Sequence, residues 1–428
     1  MGHLVGKDIY RKLGKKLDSM YVRTPWNDKL FRIIKELYSE PEARLIVDMP
    51  LGIVDLNAIK ATSSFNIKQI QKLLDDLIGK GLVIDFGEES KKLYTISPMV
   101  VGIFEYTMMR TRGELNPKLW SQLFNDYMMG DDSFFKANFK SGQQVSVMRT
   151  IPHEESLAPS EFVEILDYEK AEGLIKDHKR FAVGICSCRH EKHHLNEKIC
   201  AVPMESCTSF GQAAKYMIEH GFAQSISRSE MLDNLSRSKD LGLVLNTDNV
   251  KNEASFMCHC CGCCCNLLVG IRKFGYANVV VTSNYIASVN DLSCDGCGKC
   301  AKACPINAIT MKKDISPDSR RKKLPEIDTE FCLGCGVCAL SCQPKSLVLI
   351  HRPQKVLHPE NLTERIILQA LERGTLQNFI FTHPHKITHQ FLRTLIGSFL
   401  KLSPVKKSLM SQHLRSRFLS VLMKNRSA

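Results

Sequence analysis

Nowhere in the 428 residues do about eighteen apolar residues run together, so the sequence offers no segment that reads as a membrane-spanning helix. The opening Met1-Gly2-His3-Leu4-Val5-Gly6-Lys7 lacks the apolar stretch of a secretory signal, which predicts a soluble, cytoplasmic chain. Acid is missing from the C-terminal end: from Lys386 onward there are nine Lys and Arg and no Asp or Glu. From His351 the count is thirteen basic residues against Glu360, Glu364 and Glu372, a net of +10 out of +13 for the whole chain. A basic segment of this kind suits an anionic membrane surface or an acidic partner.

Cysteine, by contrast, is abundant, with eighteen in the chain. A secreted disulfide scaffold can be as rich in cysteine, but such chains are short and carry a signal segment. Reduced thiols that ligate metal are the better account. Eight of them write C-x2-C-x2-C-x3-C twice: Cys294, Cys297, Cys300, Cys304 before Pro305, then Cys332, Cys335, Cys338, Cys342 before Gln343-Pro344. Three cysteines at this spacing on a tight loop reach three corners of a cubane [4Fe-4S] cluster, and the fourth ligand comes from elsewhere. Gly296, Gly298, Gly334 and Gly336 allow such a loop to fold around the cluster and bring N–H groups towards sulfur.

Residues from about 288 to 350 resemble a two-cluster ferredoxin of the clostridial type. The resemblance implies crossed ligands: Cys294, Cys297, Cys300 and Cys342 for one cluster, and Cys332, Cys335, Cys338 and Cys304 for the other. Cys342-Gln343-Pro344 departs from the family's Cys-Pro. A pair of zinc sites is the alternative, but structural zinc takes separate C-x2-C knuckles where this chain repeats triplets.

The other ten cysteines lie in a middle block: Cys186, Cys188, Cys200, Cys207, then Cys258, Cys260, Cys261, Cys263, Cys264 and Cys265. Neighbouring side chains point apart on a helix and to opposite faces on a strand, so clustered cysteines must divide by register. Cys258, Cys261 and Cys264 repeat the C-x2-C-x2-C spacing, while Cys260 and Cys263 form an offset C-x2-C. With Cys186, Cys188, Cys200 and Cys207 they suffice for one or two further iron–sulfur clusters. Zinc, with His190, His193, His194 or His259 as partners, and a thiol redox site are the competing readings. Cys260-Cys261-Gly262 resembles the CCG motif of heterodisulfide reductase subunits, with a single copy here.

Residues 8 to 110 predict helices and a hairpin. Leu30, Ile33, Ile34 and Leu37 have helical spacing, as do Ile67, Ile70, Leu73, Leu74, Leu77 and Ile78, with Ser63 or Ser64 as the start of the second helix. Leu82-Val83-Ile84-Asp85-Phe86 and Leu93-Tyr94-Thr95-Ile96 flank a polar turn that includes Glu88 and Glu89. Helix, helix, hairpin is the order of a winged helix. Between Pro25 and Val100 ten basic residues face eleven acidic ones, the wrong balance for phosphate, so protein docking or dimerisation is expected rather than DNA binding. Residues 145 to 151 predict a strand, 161 to 179 a helix, and in the tail Phe391, Leu392, Leu395, Ile396, Phe399 and Leu400 make one apolar stripe and Leu414, Phe418, Leu419 and Leu422 another.

Residues from about 20 to 350 resemble a group of anaerobe iron–sulfur proteins that join a winged-helix-like N-terminus, a Cys-x-Cys-Arg block, a Cys-Cys-Gly-Cys-Cys block and a dicluster ferredoxin. Arg149-Thr150-Ile151-Pro152 and the stretch Ser206-Cys207-Thr208-Ser209-Phe210-Gly211 share in it. The expected architecture is α+β and multidomain: a winged-helix-like domain (1–110), a bridge (111–180), a cysteine-rich module (181–285), a 2[4Fe-4S] ferredoxin domain (286–350) and a basic helical tail (351–428). The expected function is single-electron transfer with a redox protein partner, as a carrier or oxidoreductase subunit rather than a stand-alone enzyme. The alternatives are a cluster-sensing DNA regulator and a subunit acting on thiol, disulfide or sulfur substrates. The basic tail adds a possible peripheral position at the inner face of a membrane.

Overall fold

The computed structural model describes residues 2–88, 91–140, 143–159, 166–314, 321–353, 356, 358–411 and 418. Helix and sheet are mixed in two compact units: 1–110 with 122–138 and 361–428, and 111–121 with 139–360. No helix among the described residues is long and apolar enough to cross a membrane.

In the first unit, the helix Asp28–Leu37 starts where Asn27 accepts the Leu30 N–H, and it buries Leu30, Ile33, Ile34 and Leu37. Glu40–Asp48 begins with a capping box between Ser39 and Glu42. Leu56–Thr62 and Ile67–Gly79 follow, the second burying Ile70, Leu74, Leu77 and Ile78. The sequence pointed to Ser63 or Ser64 as the start of that helix. The cap is Asn66, whose side chain and that of Gln69 exchange bonds with each other's backbone N–H groups, while the Ser63 hydroxyl accepts from Phe65 N–H instead. Val83–Phe86 and Leu93–Ile96 pair antiparallel, and Val54–Asp55 adds a short third strand beside Leu93–Ile96. Glu89, foreseen in the polar turn, lies outside the described residues.

The C-terminal segment contributes to this unit's core before it reaches solvent. The helix Leu362–Arg373 buries Ile367, Leu368, Ala370 and Leu371, and the Arg373 guanidinium donates to the carbonyls of Tyr21 and Asn138. The helix Ile387–Leu400 instead exposes Ile387, Phe391, Leu395 and Phe399. Leu392 and Ile396 are half-buried and Leu400 is buried, so the stripe foreseen in the sequence is divided between two faces. Leu414, Leu419 and Leu422 lie outside the described residues.

The second unit is built on a six-stranded sheet whose pairings are all antiparallel, in the order Met148–Ile151, Val244–Asp248, Phe256–Cys260, Glu205–Phe210, Phe181–Ile185, Ala223–Ile226. Ile151, Phe181, Phe210, Met231, Leu235, Leu245 and Met257 form its core. The foreseen strand at 145–151 starts three residues late, at Met148. Of the foreseen helix at 161–179, residues 161–165 lie outside the described residues, and the remainder forms a 3-10 turn, Asp167–Glu169, and a short helix, Ala171–Lys176. Further along, Tyr285–Val289 pairs antiparallel with Leu347–His351, and Ile309–Lys313 with Lys323–Ile327. Two short helices, Lys299–Ala303 and Val337–Leu340, complete this double motif.

Candidate metal centre

The eighteen cysteines gather in four places, all within the second unit. The first is a cavity lined by Cys294, Cys297, Cys300 and Cys342, with Val289, Met311 and Leu347 as its apolar wall. The loop that carries Cys294 and Cys297 turns into the helix Lys299–Ala303 at Gly298, the N-cap, so Cys300 sits in the first helical turn. Asp295 accepts the Cys297 N–H, and Arg321, ion-paired to the nearly inaccessible Asp314, donates to the carbonyl of Cys294. Cys297 is exposed and Lys299 lines the cavity, while Lys302, on the same helix, and Lys312 and Lys313, on the strand Ile309–Lys313, are exposed, Lys312 being paired with Glu326.

The second cavity is lined by Cys304, Cys332, Cys335 and Cys338 with Ala287, Ile306, Leu333 and Leu349. Its cysteines from the second repeat are each only 7–8% exposed. Gly334 is required here: it sits at φ +68°, and a Cβ would fall 2.1 Å from the Tyr285 carbonyl oxygen. Arg352 donates to the carbonyls of Tyr285 and Cys332, and Ala308 N–H donates to Cys304 Sγ at 3.2 Å. Burial pushes the Cys335 thiol up to about 12 and raises Cys338, Cys304 and, in the first cavity, Cys300. Four thiols converging on an apolar hollow fit a metal cluster, whose positive irons hold them as thiolates that burial alone disfavours.

The ten middle cysteines divide six and four. On the strand Phe256–Cys260, Cys258 and Cys260 share a face by strict alternation. Cys207 comes from the neighbouring strand Glu205–Phe210. Cys186 and Cys265 are the N-caps of the helices Ser187–His194 and Asn266–Phe274, and Cys188 lies in the first of these. Thiol contacts run from Cys207 to Cys258, Cys260, Cys265 and Cys188, while Cys186 faces Cys207 and Cys265. Hydrogen bonds from Cys188 and Cys260, together with the N–H groups of Leu267 and Leu268, hold the Cys265 thiol well below its ordinary value. Burial pushes Cys186 up to about 12.

Arg189 lies between the two groups, 1% exposed, donating to Ser206 Oγ and the His259 carbonyl. Burial opposes its charge, but Cys186, Cys261 and Cys260 facing it hold its pKa above the usual value. A guanidinium buried among thiols favours their thiolate forms.

The remaining four are Cys200, in the segment before strand Glu205–Phe210, and Cys261, Cys263 and Cys264, on the turn between Cys260 and the helix Asn266–Phe274. Their sulfurs all lie within 4.8 Å of one another. The C-x2-C register of Cys258, Cys261 and Cys264 therefore does not describe the grouping, because the strand ends at Cys260 and the turn swings the next residues to the other site. Cys265, absent from the sequence-derived ligands, belongs to the six-thiol group. Its signal was the N-cap position in front of the apolar helix Asn266–Phe274. The histidines stay apart: His190 and His194 meet each other, at 3.0 Å between Nε2 atoms, and His259 points away from Cys258 and Cys260 towards Thr208 and Asn234.

No curated protein and no solved structure matches the chain. A family model does: residues 293–345 match the 4Fe-4S dicluster domain, which identifies the double motif around the first two cavities as a ferredoxin-type domain and indicates [4Fe-4S] clusters there.

Proposed function

We propose that the protein carries single electrons through two [4Fe-4S] clusters, held by Cys294, Cys297, Cys300, Cys342 and by Cys304, Cys332, Cys335, Cys338, and through a third iron–sulfur cluster in the six-thiol pocket. The observation that carries this reading is the convergence of each crossed set of four thiols on its own cavity within the matched domain. When bound, the clusters supply the electron-accepting chemistry; the chain sets their exposure, their hydrogen bonds and their neighbours. The third cluster is supported by six thiols in one pocket beside the buried Arg189. A connection is also available: Arg272 donates to the carbonyls of Gly262 and Pro305, tying the loop after Cys260 to the residue after Cys304.

Cys297 is exposed beside Lys299, with the exposed Lys302, Lys312 and Lys313 on the adjoining helix and strand, so the first cavity is the natural exit, and its partner is a redox protein with an acidic face. The N-terminal order of two helices, a hairpin and a short third strand supports a winged-helix-like domain. Its helix Ile67–Gly79 exposes Lys68 and Lys72 together with Asp75 and Asp76, a mixed face suited to protein docking and not to phosphate. The exposed Ile387, Phe391, Leu395 and Phe399, with nine basic residues from Lys386 onward, support a peripheral hold on an anionic membrane.

The test is iron and acid-labile sulfide per chain on protein purified without oxygen, followed by electron paramagnetic resonance after reduction. About twelve of each, with three interacting spins, is expected. About eight of each would remove the third cluster, and none would remove the reading altogether.

A further inference from the structure

The four-sulfur group at Cys200, Cys261, Cys263 and Cys264 has dimensions of its own. The sulfurs of Cys200 and Cys261 are 3.7 Å apart, Cys200 and Cys264 3.9 Å, Cys261 and Cys263 3.6 Å, and Cys263 and Cys264 3.5 Å. A tetrahedron of thiolates around one zinc ion, with zinc–sulfur bonds of about 2.3 Å, has sulfur–sulfur edges of about 3.8 Å. Thiolates on a cubane sit outside four separate irons, one beyond each corner, and are necessarily further apart. The contrast exists within this chain: among the described residues, the group of four is the one whose ligand atoms all fall within 4.8 Å, and neither ferredoxin cavity draws its cysteines together so closely.

We infer that Cys200, Cys261, Cys263 and Cys264 bind a single divalent metal ion, zinc, as a closed tetrahedral thiolate site. The donor set is sulfur alone and fills every tetrahedral position, which is the arrangement of a structural rather than a catalytic ion. Four thiolates on zinc leave a net charge of about −2, and Arg189, facing Cys261, supplies the opposite charge. Val202 and Leu243 pack against the group, in which Cys261 and Cys264 are buried and Cys200 and Cys263 half-buried. A thiolate tetrahedron prefers zinc to ferrous iron in the ordinary affinity order of divalent metals.

The ion has a mechanical task in this position. Cys200 is brought in from a segment with no helix or strand, while Cys261, Cys263 and Cys264 occupy a single turn. Metal binding joins the two and fixes the turn that Arg272 holds against Pro305. Zinc carries no electrons, so it would keep the six-thiol pocket and the second ferredoxin cavity in fixed relation without entering the relay. The inference does not depend on the electron-transfer reading.

The test is metal analysis and zinc-edge X-ray absorption on the full-length protein purified anaerobically, with Cys263→Ala and Cys200→Ala beside it. The expected result is about one zinc per chain with four sulfurs at about 2.3 Å. Each variant should lose at least nine-tenths of the zinc and keep its iron. Zinc absent from the parent protein, fewer than four sulfurs around it, or iron that falls by about one or about four per chain in the variants would overturn the assignment. If neither variant folds, the absorption spectrum of the parent protein decides alone.

Discussion

Cys304 belongs by sequence to the first repeat and by position to the second cavity, and that separation can be tested by pairing substitutions. If each cavity holds one [4Fe-4S] cluster, two lost ligands in the same cavity remove the same irons, whereas two in different cavities remove both sets. Cys304→Ala with Cys332→Ala should therefore cost about four irons per chain, no more than either alone, while Cys304→Ala with Cys294→Ala should cost about eight. The two crossed ligands differ in what stands beside them. Cys332, Cys335 and Cys338 are 8%, 8% and 7% exposed and the cavity wall around them is apolar, so Cys304→Ala leaves no replacement side chain and should empty the cavity. In the first cavity Ser346 Oγ lies 3.2 Å from Cys342 Sγ. Cys342→Ala should thus retain about four irons with Ser346 at the open corner, a substitute ligand that belongs to that corner and not to the one Cys294 fills. The assays are iron and sulfide content with the spectrum of the reduced and oxidised protein. A loss of eight irons from Cys304→Ala with Cys332→Ala, or of four from Cys304→Ala with Cys294→Ala, would refute crossed ligation.

Gly334→Ala should lose the second cluster, because the new Cβ falls 2.1 Å from Tyr285 O, whereas Gly275→Ala, at a similar φ of +73° with nothing within 4 Å, should keep all its iron. The isolated backbone strain at Gly275 is worth only about 1 to 2 kcal/mol, which thermal denaturation will read; equal iron in the two variants would contradict the steric account. His358 is buried and donates from Nδ1 to Asn249, and burial, with Arg149 and Lys251 nearby, pushes its pKa down to about 3. The unfolded chain protonates near pH 6.5, so His358 supports the fold above that pH and the support is lost as pH falls towards 3, about 2 kcal/mol by pH 5. His358→Asn keeps a donor without the titration and should lose less stability between pH 7 and pH 5; identical losses in denaturant titrations would count against this. Phe391→Ser with Phe399→Ser removes two rings that are 66% and 57% exposed, and should weaken sedimentation with anionic vesicles. Roughly 2 kcal/mol, or about thirtyfold, is expected, and unchanged binding would remove the membrane proposal.

The sequence was most legible where one spacing determines one geometry. Triplets of cysteine with glycine between them imply a loop around a cluster, and Cys304 and Cys342 stand in the cavities opposite their own repeats. The hairpin at Val83–Phe86 and Leu93–Ile96 was legible for a similar reason, since alternation ending in a polar turn permits few other forms. Helix starts were less so. Ser63 is as good a cap by type as Asn66, and only the reciprocal bond from Gln69 decides between them. The tail was ambiguous because helical spacing records that a stripe is apolar, not whether protein covers it: Leu368 and Leu371 are buried and Phe391 and Leu395 exposed, at equal hydrophobicity.

In the middle block the difficulty was a change of period inside the motif. Up to Cys260 the chain is a strand and residues two apart share a face; from Cys261 it turns, and from Asn266 it is a helix. A single C-x2-C register read across that boundary joins Cys258 to Cys261 and Cys264, which the backbone separates. The cysteine with no regular spacing, Cys265, joins Cys258 and Cys260 because a helix N-cap projects from where the turn ends. Run-on cysteines are therefore best assigned by where the strand stops, and the strand's end was readable in principle: Gly262 permits the turn, and the apolar run Leu267-Leu268-Val269 opens the helix. With that boundary in place, the adjacent pair Cys260 and Cys261 serve different sites, since Cys260 is the last residue of the strand and Cys261 the first to leave it. If the six-thiol pocket holds iron and the four-sulfur group zinc, as proposed, a one-residue insertion between Cys260 and Cys261 should disturb both the iron and the zinc contents, while substitution of either cysteine alone should disturb only one.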